Sequence, residues 1–229
     1  MATIHHPVEL AAAFGSGITL TIVVGVIVAA LAWGAMFTLG QRLFWPRAAA
    51  AGAVIATYAV AAGPDRIGRL FTHGSWPVEA ALGVGSGAAL YVIFWIGQKM
   101  LVLVARPLAV EVQDLYAVRG ATRPATMVAV LTVAASGEEL FFRGLLEARI
   151  GFVLALAVYG AVHIWERKII LILAALAGGA WWGALFSLTG GLVAPIVSHL
   201  VWCLMIIVWR PVGSSRSPQP EAVIPEHNG

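Results

Sequence analysis

The chain predicts an all-α fold, a polytopic membrane helix bundle of about seven transmembrane helices, and three observations carry that prediction. Of its 229 residues, 60% are hydrophobic and 11% charged, where a soluble domain carries roughly 25% charged residues. Mean hydropathy is +0.90. Apolar runs of the ~20 residues needed to cross a hydrocarbon core recur between short polar turns. A soluble fold of this composition would have no surface to show water.

The N-terminal third, residues 1–105, holds about three spans. After a polar lead (1–10), the first apolar run covers 11–40, longer than a perpendicular crossing needs, so it tilts or begins late. Arg42, Trp45 and Arg47 mark a basic, aromatic interface loop. The second span, 48–63, is short and alanine-rich. Residues 64–79 read as a polar loop with Asp65, Arg66, Arg69 and His73. The third span, 80–105, contains Gly83-x-x-x-Gly87, a spacing that permits close helix approach. Lys99 can snorkel near its end.

Residues 106–123 mix Val112, Leu115 and Tyr116 with Glu111, Asp114 and Arg119. They read as a connector with an interfacial, amphipathic helix. The last four spans, within 124–210, form the expected catalytic core. They run over 124–149, 151–165, 169–188 and 192–209, with Glu166-Arg167-Lys168 and Thr189-Gly190-Gly191 as turns. Gly178-Gly179 thins one face of the sixth. Residues 211–229, rich in Pro, Ser and Glu, read as a disordered cytoplasmic tail.

Charge and cysteine usage narrow the class. The net charge of +3 suits basic loops facing anionic headgroups. Without a basic run or aromatic–basic interleaving, no nucleic-acid partner is expected. One cysteine, Cys203, excludes an internal disulfide framework. No Lys or Arg precedes the first apolar run, which argues against a cleavable signal peptide. With seven spans, Arg42, Arg47, Arg106, Arg119, Arg123, Arg167, Lys168, Arg210 and Arg216 fall on one side, and Arg66, Arg69 and Arg149 on the other. The positive-inside rule then places the N-terminus outside and the C-terminus in the cytoplasm of a cell's inner membrane.

The chemistry concentrates in Ser136-Gly137-Glu138-Glu139-Leu140-Phe141-Phe142-Arg143, inside a segment otherwise built for lipid. An ionisable group at bilayer depth costs at least ~2.5–3.5 kcal/mol, so three together need partners and usually a purpose. Glu139 and Arg143 are i,i+4 with the acid first, the better order for a pair. Glu138 is rotated about 100° away and has no partner on its own helix. At ~1.5 Å rise per residue, Glu138 and Glu139 lie ~15 Å from the outer turn, His163 ~18 Å and His199 ~13 Å. Three helices therefore bring Glu, His and His to one level near mid-membrane.

That set fits a general-base hydrolase. An apolar site disfavours the charged carboxylate, so an unpaired glutamate there can take a proton from water near neutral pH. One histidine can position the water. The other can donate to the oxyanion formed on the attacked carbonyl. Glu138, His163 and His199 are the catalytic candidates. Glu139 and Arg143 are a structural brace. A polar cavity must admit water.

In this order, Glu138-Glu139-x-x-x-Arg143, Tyr159-x-x-x-His163 and His199-x-x-x-Cys203 resemble the three motifs of the CPBP family. That family contains CAAX prenyl endoproteases and bacteriocin-processing or immunity proteins. The resemblance covers roughly 124–210 and implies an intramembrane glutamic protease. It implies Glu138 as base with His163, and His199 in the oxyanion hole. Tyr159 stands where the family has Phe, a mild change. Cys203 stands where it has Asn, and a thiol is a poor donor.

Plainer readings stand beside these. Each histidine alone could be structural, and Cys203 a small apolar filler. Glu147 and Arg149 read as interfacial. His5, His6, His73 and His227 need no role. Trp181, Trp182 and Trp202 are candidates to line the site. No metal or cofactor is expected, but zinc on His163, His199, Cys203 and Glu138 is an open alternative. So are a non-catalytic scaffold or immunity protein and a proton-coupled carrier. The expected partners are the lipid bilayer and a membrane-associated protein or peptide substrate, with oligomeric state unassigned.

Overall fold

A computed structural model describes residues 16–39 and 41–210. The polar lead, the C-terminal tail, and His5, His6 and His227 lie outside the described residues. Helix α1 is Ser16–Thr38, and α2 is Phe44–Ala62 after a 3-10 turn at Gln41–Leu43. Short α3 (Pro64–Thr72) leads to the long α4 (Trp76–Val104). The connector forms α5 (Arg106–Leu115) and a 3-10 turn, Tyr116–Arg119. Helix α6 starts at Pro124 and continues through a π-helical stretch, Leu140–Glu147, to Ile150. Helix α7 (Phe152–Val162) ends in a 3-10 turn, His163–Glu166. Helix α8 is Ile169–Thr189. Helix α9 (Val193–Cys203) continues as a π-helical turn to Trp209.

The protein is an all-helical, multi-pass membrane bundle. Among the described residues, α1, α4, α6 and α8 are long and apolar enough to cross a membrane, and α7 and α9 are shorter apolar helices. Helix α6 is the centre. In its most apolar stretch 44% is buried, against 28%, 22% and 28% for α1, α4 and α8. It packs on α2, α9 and α7, while α1 bridges α2 and α7, and α4 lies along α9. Leu31, Leu103 and Ile169 are exposed on the outer faces, as a lipid-facing surface requires.

One expectation is corrected. Residues 64–79 are not an open polar loop. Pro64 occupies the first turn, where its missing N–H costs nothing, with Asp65 favourable beside it. Ile67 turns inward and is buried. Helix α3 ties together the end where α6 leaves and α9 enters. Arg66 donates to the Ala148 carbonyl at 3.2 Å, and the Leu192 N–H donates to the Leu70 carbonyl at 3.1 Å.

The Gly83-x-x-x-Gly87 spacing faces α9. A Cβ at Gly83 would sit 2.7 Å from the Ala194 carbonyl oxygen, and one at Gly87 would meet the Ser198 carbonyl. Those glycines let α4 and α9 touch backbone to backbone, as small residues do in membrane bundles.

Candidate active site

Central α6 carries both carboxylates where the helix passes from α to π winding, a local change frequent at functional sites. Glu138 and Glu139 are both buried, yet they face different partners. The Tyr159 hydroxyl on α7 donates to Glu138 Oε2 at 2.5 Å. The Tyr159 ring is wedged edge-on against Phe142 at 4.6 Å.

His163 lies one turn beyond Tyr159. Its Nδ1 is 2.7 Å from the Tyr159 carbonyl oxygen. A carbonyl can only accept, so Nδ1 carries the proton and donates. Neutral His163 therefore presents Nε2 as an acceptor. That atom faces Glu166 Oε1 at 3.7 Å, and the Glu166 side chain is only 7% exposed. Trp33 from α1 closes the other side, its ring centroid 5.8 Å from the imidazole.

Glu139 is the hub of a second, separate network. Its Oε2 faces Arg143 Nε at 3.2 Å, the expected i,i+4 pair. Its Oε1 accepts from His199 Nδ1 on α9 at 2.8 Å. Arg143 also donates through Nη2 to the Gly179 carbonyl at 2.7 Å. Its guanidinium lies 4.9 Å over the Tyr159 ring, and Glu147 Oε2 is 3.9 Å from its Nε. Glu147 is thus turned partly inward beside Arg143. The Arg149 guanidinium donates to the Ala62 carbonyl at 3.0 Å.

His199 lies flat under Trp182 of α8, ring centroids 3.6 Å apart and planes 17° from parallel. Cys203, one turn on and buried, interacts with the same imidazole. Trp202 stands 5.6 Å from Trp182, edge to face. Trp181 points elsewhere and donates to Ser86 of α4 at 2.8 Å. A narrow indentation between α6, α7 and α8 is lined by Arg143, Glu147, Tyr159 and Gly179.

Glu138, His163 and His199 therefore fall in one buried region. They are split between a Glu138–Tyr159–His163 side and a Glu139–Arg143–His199 side. Among the described residues, no three His, Cys, Asp or Glu side chains form a metal-binding group. Two carboxylates escaped the sequence reading. Glu166 was read as part of a charged turn. It is folded in because Arg167 takes a left-handed φ of 56° and reverses the chain just after it. Buried Glu79 of α4 accepts from the Ala194 N–H at 3.4 Å, at the start of α9. Its place at the end of the expected polar loop 64–79 gave no hint of that partner.

Residues 120–205 match the Rce1-like family, described as type II CAAX prenyl endopeptidase Rce1-like. Over those residues the chain is similar to the CAAX protease family. The match spans α6 to α9, so Glu138, Glu139, Arg143, Tyr159, His163, Trp182, His199 and Cys203 all fall within it. The chain matches no curated protein and no solved structure. That family's description is of an endopeptidase.

Proposed function

We propose that the protein is an intramembrane endopeptidase whose attacking water is activated by Glu138. Residues 124–210 are the catalytic core, carried beside the helices of 1–105. The observation that carries this reading is the division of labour between adjacent carboxylates. Glu139 is held by Arg143 and His199. Among the described residues Glu138 has only the Tyr159 hydroxyl as a hydrogen-bond donor, on Oε2, which leaves Oε1 for a water.

In this reading Glu138 takes a proton from that water while His163 Nε2 accepts a hydrogen bond from its other hydrogen, which stays on the oxygen. The hydroxide adds to the scissile carbonyl carbon. The oxyanion so formed is stabilised from the His199 side. The C–N bond then breaks as the proton held by Glu138 passes to the leaving nitrogen, giving a carboxylic acid and an amine and restoring the Glu138 carboxylate. Donation by His199 Nε2 needs a doubly protonated ring, because Nδ1–H is already engaged by Glu139.

The substrate is a protein or peptide segment at or in the membrane. The protein sits in an inner membrane with its C-terminus cytoplasmic, and the reaction uses the glutamate rather than zinc. Prenylated CAAX substrates and the removal of a membrane anchor are both compatible with this chemistry. The test compares membrane-protein termini in cells carrying the wild type or Glu138→Ala. Termini made only by the wild type identify the substrates. Identical sets would favour a scaffold or carrier.

A further inference from the structure

The Trp182 indole N–H is a buried donor without an acceptor. Trp182 is 1% exposed, and among the described residues no hydrogen-bond partner meets its Nε1. Leaving a buried donor unpaired costs about 1–3 kcal/mol, so such groups in a folded protein call for an explanation.

Its position supplies the explanation. The indole is stacked on His199 at 3.6 Å, so its N–H lies within a ring's width of the imidazole. The Cε3, Cζ3 and Cη2 edge of the indole is the one turned toward Gly178 of its own helix, which leaves the opposite, N–H edge facing away from that turn. Nearby donors are compromised. His199 Nδ1 is spent on Glu139. Cys203, one turn on, offers only a thiol. The indole is a donor and nothing else, neutral at every pH.

We infer that Trp182 Nε1–H is a catalytic hydrogen-bond donor to the carbonyl oxygen of the scissile peptide, filling the oxyanion position beside His199 that Cys203 does not. This rests on the hydrolase reading above. Trp202 has an unpartnered Nε1 too, but its ring is 6.3 Å from His199 and it is only half-buried. No bond is made or broken at Trp182. It accepts no proton and strengthens one hydrogen bond as charge develops on oxygen.

The test measures production of the wild-type-specific termini in cells, with membrane levels and thermal stability of each variant recorded alongside. Trp182→Phe is expected to slow it about a hundredfold, the usual scale for losing one oxyanion donor. Benzothienylalanine at 182, which keeps the indole shape and replaces N–H by sulfur, should do the same. It covers the case in which Phe disturbs the fold. Adding Cys203→Asn to either variant should restore at least tenfold, because an amide there offers a new donor on the His199 face. Full activity of the benzothienylalanine protein, with Glu138→Ala inactive, would overturn the Trp182 role alone. A loss confined to Trp202→Phe would also overturn it. No terminus dependent on Glu138 would instead overturn the reading beneath it.

Discussion

Tyr159 donates its hydroxyl hydrogen to Glu138 Oε2 across the α6–α7 interface, at 2.5 Å. The contact joins one buried acid to the residue whose own carbonyl orients His163. The motif that this segment resembles has Phe at this position, and here the hydroxyl supplies a polar tether. Tyr159→Phe removes the tether and keeps the edge-on packing against Phe142. Hydrogen bonds to charged groups contribute ~1.5–3 kcal/mol. Cleavage is expected to fall about tenfold with unfolding temperature nearly unchanged, as measured by initial rate and thermal melt. An unchanged rate would make the tether incidental.

Arg143 holds Glu139 at 3.2 Å inside the bundle, with side-chain exposures of 2% and 0%. Removing one partner of a buried pair leaves a stranded charge and costs ~3–5 kcal/mol. Arg143→Met is expected to destabilise strongly. The double variant Arg143→Met with Glu139→Gln should recover more than half of that loss, read by denaturant unfolding in detergent. Additive losses would show that the pair is not coupled.

The site's level in the bundle depends on a close crossing just before Glu138. A Cβ on Gly137 would strike the Gly52 carbonyl, and one on Gly52 would sit 2.7 Å from Ala134 Cα. Backbone cannot retreat as a flexible side chain can. Gly137→Ala is expected to cost ~1–3 kcal/mol, the range for overpacking, and to reduce cleavage with it. A melt that does not move would mean α2 and α6 separate freely.

Much of this site was legible in the chain itself. Helical spacing alone pairs Glu139 with Arg143, and counting from turns brings Glu138, His163 and His199 to one depth. The apolar runs mark α1, α4, α6 and α8 because lipid demands both length and composition. What stayed hidden depends on contacts between distant segments. Glu79 meets the Ala194 N–H across 115 residues, and periodicity carries no trace of such a pairing. His199 binds the carboxylate already assigned to Arg143, because an acid with two oxygens serves two partners, a choice that only packing decides. Glu166 looked like a solvated turn until the reversal at Arg167 turned it toward His163.

Glu79 makes its own prediction. A carboxylate at a helix N-terminus satisfies a free N–H and favours the dipole, worth ~1 kcal/mol. Since it sits at the start of α9, which carries His199, Glu79→Ala should lower stability by about that amount. Glu79→Gln, which keeps an acceptor, should lose less. Thermal melts of the two variants check the order, and equal losses would remove the capping role.

The central claim is that Glu138, without a metal, activates the water that cuts the peptide. Wild-type and Glu138→Gln proteins, purified, treated with a zinc chelator and placed in liposomes, can be given a substrate found by the termini comparison. Cleavage by the chelated wild type and none by Glu138→Gln is the expected result. Undiminished cleavage by Glu138→Gln, or loss of wild-type cleavage together with one bound zinc, would contradict it.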